Sequence, residues 1–405
     1  MLLQKLEIDG ASTHVKSHGQ HHRGHGPDEE VVLCAVYHFA EPTEAIRKLQ
    51  IKFPHVRFIW HTVEDRFGVD YEGVIPDADY RAATIYLTFG HSPPSQSLMP
   101  NLRFIQLLTS GHDHLRSTPL LSDPSIPVAT CSGVSARPIA QHVVLQILSF
   151  AHQWPRALRV MEEGKWIGPE SKRVGGRGYP VGSVLAGKRV GIWGYGSIGR
   201  QVARILHAMG MHIIACASGD KSTPESRRLR TATPFSDTAM GDDDGTLPVE
   251  WHSGSTRAGL QNFLAADLDI LAIFTPLTSS TKHALGKEEF DILSRRSLLP
   301  QADHTSHPHG RGKPQPFLVN VSRGPIIVQD ELVSALKDGR LAGAALDVTD
   351  PEPLPENQEL WSLPNVSITP HMSWCFEEYV EECIGTVLEE NLRRLSGGKT
   401  LLNQI

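Results

Sequence analysis

The stretch KRVGIWGYGSIGRQVARILHAMG, residues 188–210, decides the fold of this chain. It begins with an apolar run, passes through three closely spaced glycines and continues into a segment with apolar residues at helical spacing: Ile198, Val202, Ile205, Leu206 and Met209. This order predicts a buried strand, a tight turn and an amphipathic helix that ends at Gly210. A strand, glycine turn and helix in succession are typical of a domain that binds a dinucleotide.

Each glycine of the turn has a separate physical purpose. Gly194 permits the tight turn, Gly196 lets the backbone approach a pyrophosphate, and Gly199 lets the helix pack closely on the strand. The helix N-terminus then offers unpaired N–H groups and the positive end of its dipole to the phosphates. We therefore predict that the whole turn contacts a nicotinamide dinucleotide through Gly194, Tyr195, Gly196, Ser197, Ile198 and Gly199.

The end of the next strand bears on the choice between NAD and NADP. An acidic residue about 20 positions after the turn normally holds the adenosine ribose of NAD. Ala217 stands there, and it neither accepts those hydrogen bonds nor repels a 2′-phosphate. Ser218 and Lys221 offer donors to that phosphate, so we predict contacts with the cofactor at these three residues and favour NADP. The alternative is that Asp220 reaches the ribose of NAD instead.

The rest of the chain repeats the alternation of short apolar runs and helical patterns. Five runs precede the glycine turn, within residues 31–39, 55–63, 81–89, 101–110 and 126–133. Four more follow it, within 212–218, 268–276, 316–324 and 343–348, and helical patterns cover 138–153, 330–339 and 376–395. This alternation predicts an α/β protein with doubly wound parallel sheets that carry helices on both faces.

Composition and charge limit the class of protein. The 405 residues suffice for two or three domains, and 40% hydrophobic residues are typical of a globular protein. The formal net charge of −6 argues against general nucleic-acid binding. We expect no membrane span and no signal peptide, because no apolar run is long enough. Five scattered cysteines indicate reduced thiols, so we expect a cytoplasmic protein.

Three polar segments are expected to lie outside the cores. Residues 1–28 contain five histidines and few apolar residues, which predicts a disordered tail without a physiological metal site. Residues 221–262 and 296–315 are rich in polar residues and are expected to be surface insertions.

Three further segments carry a constellation of chemically active side chains. They are VNVSRGPIIVQDELVSAL (319–336), GAALDVTDPEPLP (343–355) and NVSITPHMSW (365–374). Together with the glycine turn, and in this order, they resemble the D-isomer-specific 2-hydroxyacid dehydrogenases from about residue 31 onward. The resemblance implies that Arg323 binds a substrate carboxylate and that Glu352 and His371 form an acid–base pair.

The chemistry of these side chains agrees with that resemblance. Reduction of a 2-keto acid requires a hydride donor, a proton donor and a cation for the carboxylate. His371 titrates near working pH, Glu352 can orient the imidazole, and the planar fork of Arg323 matches a carboxylate. The reaction expected is reversible hydride transfer between NADPH and a small 2-keto acid, with glyoxylate or hydroxypyruvate as the broadest expectation.

The resemblance implies further contacts. Ser110 and Gly111, in LLTSGHDHL (107–115), match the loop that binds the substrate carboxylate through backbone N–H groups. The remaining matched positions surround the nicotinamide and its ribose: Thr275, Pro276, Val321, Ser322 and Asp347.

The resemblance also implies the domain organisation. A flavodoxin-like substrate domain would comprise residues 29–136 and 373–405, and a Rossmann domain would span 137–372. A homodimer is expected. A cofactor-sensing corepressor on the same fold is an alternative that the triad does not exclude. Formate dehydrogenase is disfavoured because Glu352 stands where that relative has an amide, and a phosphoglycerate dehydrogenase role stays open.

Overall fold

Two parallel sheets form the framework of the chain. The computed structural model describes residues 29–37, 39–63, 75–93, 95–115, 118, 123–168, 182–229, 241–295 and 314–405. Within these residues, one sheet has five strands and the other has seven, and every strand pair is parallel. The predicted class of two doubly wound parallel α/β sheets is therefore confirmed.

The five-stranded sheet has the strand order β2-β1-β3-β4-β5, which is the flavodoxin-like order. Its strands are β1 (Glu30–Val36), β2 (Val56–Thr62), β3 (Ile85–Thr88), β4 (Phe104–Leu107) and β5 (Val128–Ala129). Strands β1, β3 and β4 are buried on both faces, and their sequences read as continuous apolar runs for that reason. Helices α1 (Thr43–Lys52) and α2 (Asp77–Ala82) connect the first three strands.

The seven-stranded sheet has the order β12-β11-β10-β9-β6-β7-β8. Its strands are β6 (Arg189–Trp193), β7 (His212–Ala217), β8 (Pro248–Ser253), β9 (Ile270–Ile273), β10 (Phe317–Asn320), β11 (Gly343–Leu346) and β12 (Val366–Ile368). Strand order reverses between β6 and β9, which are neighbours in the sheet although β7 and β8 lie between them in sequence. Open α/β sheets bind ligands outside the carboxyl ends of the strands at such a switch point.

Helices cover both faces of the seven-stranded sheet. They are α3 (Ala136–Ala151), α4 (Trp154–Glu162), α5 (Ser197–Ala208), α6 (Pro224–Arg227), α7 (Arg257–Leu264), α8 (Lys287–Ser294) and α9 (Gln329–Lys337). The apolar residues of α3 and α5 share one core with the sheet, and those of α7, α8 and α9 share the core on the opposite face. No helix in the described parts of the chain is long and apolar enough to cross a membrane.

The last helix returns to the first sheet. It consists of α10 (Tyr379–Glu382), a π-helical segment (Cys383–Leu388) and α11 (Glu389–Ser396). Its buried apolar side chains share a core with strands β1 and β3. Buried Asn391 donates to Oε1 of Gln106 on β4 at 2.8 Å, which fixes the helix to the sheet.

The expectation of a surface insertion over 221–262 is wrong in part. Residues 248–253 form β8, and α7 begins at Arg257. Strand β8 is polar because it lies at the edge of the sheet, with none of its residues fully buried. Residues 230–240, residues 296–313 of the second insertion and the histidine-rich tail at 1–28 lie outside the described residues.

Four of the five cysteines are buried, as their apolar sequence surroundings predict. Cys34, Cys131, Cys216 and Cys383 lie in the cores, whereas Cys375 is exposed. Burial raises the pKa of the Cys34, Cys216 and Cys383 thiols, which disfavours reactive thiolates at these positions.

Candidate active site

The predicted site residues line one edge of the seven-stranded sheet. Apart from Ser110 and Gly111, which follow β4 of the other sheet, they lie at the carboxyl ends of six strands, which are neighbours in the order β12, β11, β10, β9, β6 and β7. In that order the edge carries His371, then Asp347 and Glu352, then Arg323, Thr275, Gly194 and Ala217. The parallel sheet therefore brings the glycine turn and residues of the three later motifs to one edge.

The three glycines of the turn have the properties predicted for them. Gly194 has φ 103°, and a Cβ on it would lie 2.7 Å from the backbone of Phe274 and Thr275. A Cβ on Gly199 would collide with the carbonyl oxygen of Gly194. A Cβ on Gly196 would meet no atom within 4 Å, so this glycine faces open space. The turn thus combines two packing glycines with one that leaves room for a ligand.

The N-terminus of α5 fits an anionic ligand. Gly196 is its N-cap residue, and no side chain caps the helix there. The N–H groups of the first turn, which begins at Ser197, lack intrahelical acceptors. A pyrophosphate is the chemical group that such an uncapped end, opened by a glycine, accommodates. Ile198 packs into the adjacent core, so its side chain supports the helix.

The side chain of Tyr195 points into the protein. Its hydroxyl donates to Oδ2 of buried Asp242 at 2.7 Å, and its ring packs edge-on against Trp251. Burial raises the pKa of Tyr195, and the carboxylate beside it raises that pKa further. Only the backbone of Tyr195 is therefore available to a cofactor in this arrangement.

The residues after β7 form a compact polar turn. Nζ of Lys221 donates to the carbonyl oxygen of Ser226 at 2.6 Å. Asp220 accepts from the backbone and the hydroxyl of Ser222, and these bonds lower the pKa of Asp220. Ser218 is exposed, and Ala217 is half-buried at the strand end. The carboxylate of Asp220 therefore has local partners of its own.

The loops after β9 and β10 contact each other. The Ser322 hydroxyl donates to the carbonyl oxygen of buried Thr275, and Pro276 accepts from the Thr281 hydroxyl at 2.7 Å. Val321 is buried between them at the strand end. Thr275 and Pro276 thus follow the strand that borders the point where the strand order reverses, and Val321 and Ser322 follow the next strand of the sheet.

Arg323 reaches across to the loop that follows β4 of the other sheet. Its Nε lies 3.1 and 3.2 Å from the two carboxylate oxygens of Asp113, and its Nη2 lies 3.0 Å from Oδ1. Its Nη1 donates to the carbonyl oxygen of Ser322 at 2.8 Å. A Cβ on Gly111 would collide with Nη2, so the guanidinium lies directly against that glycine. Ser110, the other predicted residue of this loop, is exposed beside it.

His371 and Glu352 form a close pair. Nδ1 of His371 lies 2.5 Å from Oε1 of Glu352, although the two residues belong to loops after different strands. Both side chains are more than a third exposed, at 37% and 39%. In this contact the Nδ1–H donates to the carboxylate, so Nε2 is the ring nitrogen that remains for other chemistry.

Asp347 fixes the loop that carries His371. Its buried carboxylate accepts from the Thr369 hydroxyl at 2.6 Å and from the backbone N–H groups of Met372 and Ser373 at 3.0 Å each. The backbone N–H of His371 donates to the carbonyl oxygen of Asp347 at 2.9 Å. The carboxylate predicted to lie near the nicotinamide thus holds the histidine loop in place.

Sequence reasoning missed two of these acidic residues. Asp113 follows Gly111 by two positions, and its spacing within the predicted substrate loop was the available signal. Asp242 lies in the polar stretch interpreted as an insertion, and no sequence signal connected it with Tyr195. In the described part of the chain, no group of three or more His, Cys, Asp or Glu residues could hold a metal ion.

Comparisons with known proteins identify the family of this chain. Residues 144–244 and 241–373 match the family described as "D-isomer specific 2-hydroxyacid dehydrogenase, NAD binding domain". A putative 2-hydroxyacid dehydrogenase from Haemophilus influenzae is 26% identical over 355 residues, which cover 87% of this chain and 95% of that protein.

Solved structures of similar fold cover almost the whole chain. A D-isomer specific 2-hydroxyacid dehydrogenase from Xanthobacter autotrophicus Py2, in complex with NADPH and MES, has a TM-score of 0.66 at 23% identity. The alignment covers 93% of this chain and 98% of that one. An NADPH-dependent glyoxylate/hydroxypyruvate reductase from Sinorhizobium meliloti, with NADP and sulfate, has a TM-score of 0.63 at 22% identity, with the same two coverages.

The family match spans more than half of the chain. The chain therefore belongs to the D-isomer specific 2-hydroxyacid dehydrogenase family. Its general class is that of an oxidoreductase with a domain that binds a nicotinamide dinucleotide.

Proposed function

We propose that this protein interconverts a 2-keto acid and a D-2-hydroxy acid by hydride transfer with NADP or NAD. One observation carries the proposal. The His371–Glu352 pair and Arg323 lie on the same sheet edge as the glycine turn, and Arg323 lies against Gly111 of the opposite sheet's loop. A proton donor and a carboxylate-binding cation on the sheet edge that carries the dinucleotide turn would support this reaction.

Arg323 binds the substrate carboxylate in this proposal. Its planar guanidinium matches a carboxylate in geometry and charge. The backbone N–H groups of Ser110 and Gly111 would complete the carboxylate site, because this loop already contacts the guanidinium. The same cation would polarise the keto oxygen, where negative charge develops during reduction.

His371 donates the proton to that oxygen, and Glu352 acts through His371. The carboxylate of Glu352 accepts the hydrogen bond from Nδ1 and fixes the orientation of the ring. Nε2 then carries the proton that is transferred, since Nδ1 already points to Glu352. In the reverse direction the neutral ring accepts the hydroxyl proton.

The bound dinucleotide would supply the hydride. Its pyrophosphate would lie on the turn Gly194–Gly199, and its nicotinamide end beside Thr275, Pro276, Val321, Ser322 and Asp347. We favour NADP because Ala217 imposes no negative charge at the strand end and Asp220 is bonded to Ser222. Ser218 would donate to the 2′-phosphate, and Lys221 would do so after releasing the Ser226 carbonyl. The NADPH and NADP in two similar structures agree with this choice.

Glyoxylate and hydroxypyruvate are the substrates we propose first. A structural neighbour is named a glyoxylate/hydroxypyruvate reductase, and relatives about a quarter identical carry both names.

We further propose a homodimer in the cytoplasm. Exposed apolar side chains on α3 and α4 support the dimer: Leu145, Trp154 and Met161. The domain bounds of 29–136 with 373–405, and of 137–372, belong to the same proposal. The packing of the last helix on the first sheet supports them.

The proposal is tested by following nicotinamide absorbance with NADPH or NADH and a panel of 2-keto acids. The panel contains glyoxylate, hydroxypyruvate, pyruvate, phenylpyruvate and 2-ketoisocaproate, with His371→Ala as the control. We expect turnover that prefers NADPH and is lost in the variant. A preference for NADH would move the ribose contact to Asp220. Tight cofactor binding without turnover would favour a cofactor-sensing binding protein.

A further inference from the structure

The carboxylate of Asp113 holds Arg323 by one edge of the guanidinium. Asp113 belongs to the loop after β4, whereas Arg323 follows β10 of the other sheet. Their contact involves both carboxylate oxygens and two guanidinium nitrogens at 3.0 to 3.2 Å. Both side chains are about three-quarters buried, with 26% of each exposed. Two-point contacts of this kind fix the plane of the guanidinium as well as its position.

The contacts of Arg323 account for three of its five N–H donors. Nε donates to Asp113, Nη2 lies 3.0 Å from Oδ1 of Asp113 as an ion pair, and one N–H of Nη1 donates to Ser322. Among the described residues, one N–H on each terminal nitrogen has no acceptor. A carboxylate binds a guanidinium through such a pair of N–H groups. The loop glycine Gly111 adjoins Nη2, so these donors lie beside the proposed substrate loop.

We propose that Asp113 is a positioning residue for the reaction, which orients Arg323 so that its terminal nitrogens face the substrate carboxylate. This inference rests on the proposed function and adds a residue to it. Asp113 acts through Arg323 and does not touch the substrate. Because the pair joins the two sheets, it also places the arginine of one domain against the substrate loop of the other.

A double-mutant cycle tests the positioning role. The four proteins are wild type, Asp113→Asn, Arg323→Lys and the double variant, measured with the fastest keto acid at saturating NADPH. We expect Asp113→Asn to lower kcat/KM by roughly 10- to 100-fold, mostly through KM, because substrate is held by a misoriented arginine. In the Arg323→Lys background, Asp113→Asn should lower kcat/KM by less than about 3-fold, because lysine has no planar group for Asp113 to orient.

Control variants separate this role from a general effect on the fold. Asp123→Asn changes an aspartate whose carboxylate, among the described residues, accepts only from Ser125, and it should leave kcat/KM within about 2-fold. Asp113→Glu retains the charge but displaces it by one methylene, and we expect an intermediate loss. The melting temperature and the NADPH dissociation constant of each variant should match those of the wild type.

Binding of oxamate, a carboxylate that cannot be reduced, to the protein–NADPH complex provides a readout apart from activity. We expect Asp113→Asn to weaken oxamate binding by a similar factor. Unchanged or tighter oxamate binding in Asp113→Asn would overturn the positioning role of Asp113 but not the proposed function. Equal losses of kcat/KM in the wild-type and Arg323→Lys backgrounds would have the same meaning. A wild type without turnover would overturn the proposed function, and the oxamate result would still decide the role of Asp113. A wild type that binds no oxamate would overturn both.

Discussion

At the level of single residues, His371 has an uncommon backbone conformation. Its φ is 50°, in the left-handed region that non-glycine residues rarely adopt. Such a conformation costs on the order of 1–3 kcal/mol and persists where surrounding contacts hold it. Here the backbone N–H of His371 is bonded to Asp347, and the Asp347 carboxylate holds the residues on both sides. The loop therefore fixes where the ring lies.

His371→Asn separates the role of the ring from that of the backbone. Asparagine tolerates the left-handed region better than most residues, so the loop should keep its shape. We expect kcat to fall by roughly 10²- to 10⁴-fold, because the proton donor is gone, while the melting temperature stays within about 2 °C. Steady-state kinetics and thermal unfolding check this. A variant that retains at least half of the wild-type kcat would exclude His371 as the proton donor.

Buried His91 predicts a stability that depends on pH. Its Nε2 lies 3.0 Å from the Tyr80 hydroxyl, the residue is 8% exposed, and burial lowers the pKa of His91 to about 4. Below about pH 6.5 the unfolded chain gains a proton at this residue and the folded chain does not. Stability should therefore fall between pH 6.5 and pH 4, by roughly 3 kcal/mol from this residue at most.

The measurement for His91 is urea unfolding of the wild type and His91→Gln at several pH values. The free energy of unfolding of the variant should decline less steeply with acid. Parallel curves for the two proteins would contradict the assignment of this dependence to His91.

At the level of elements, two glycines of the turn have different roles, one in packing and one in leaving room for the cofactor. Gly199→Ala should destabilise the protein, because the new Cβ collides with the Gly194 carbonyl inside the strand–helix packing. Gly196→Ala should keep the melting temperature, since its Cβ meets no protein atom within 4 Å. The same Cβ would enter the space that a pyrophosphate needs, so we expect NADPH to bind at least about 10-fold more weakly.

Thermal unfolding and fluorescence titration with NADPH test this pair of variants. Normal NADPH affinity in Gly196→Ala would show that the pyrophosphate does not approach this glycine.

The elements that sequence reasoning identified are those buried on both faces. Strands such as β1, β4 and β9 stand out as apolar runs because both of their faces lie in cores. Strand β8 was not recognised, since its exposed edge position allows the polar sequence PVEWHS. A hydrophobic sequence pattern identifies a strand only when the strand is buried, and no residue of this edge strand is fully buried.

The same limit applies to the candidate site. The motifs alone indicated Arg323, Glu352 and His371, because their residue types and order carry the chemistry. The pairing of Arg323 with Asp113 joins residues 210 positions apart in different sheets. Only the arrangement of the two sheets brings these residues together.

At the level of the whole molecule, α3 and α4 leave an apolar surface exposed. Leu145, Trp154 and Met161 are each more than half exposed. Exposed apolar residues grouped on neighbouring helices are typical of protein–protein interfaces. We expect Met161→Glu to convert a dimer to monomers, as measured by light scattering after size-exclusion chromatography. Ile51→Glu, at an equally exposed site on α1, should leave the dimer intact. A monomeric wild type would contradict the dimer itself.

The configuration of the product tests the central claim most directly. The wild-type protein is incubated with NADPH and the keto acid of the panel that turns over fastest among those whose product is chiral, and the hydroxy acid formed is resolved by chiral chromatography. The arrangement of Arg323, His371 and the dinucleotide turn, together with the family, predicts the D-2-hydroxy acid. An L-2-hydroxy acid, a racemic product or no hydroxy acid at all would contradict the account.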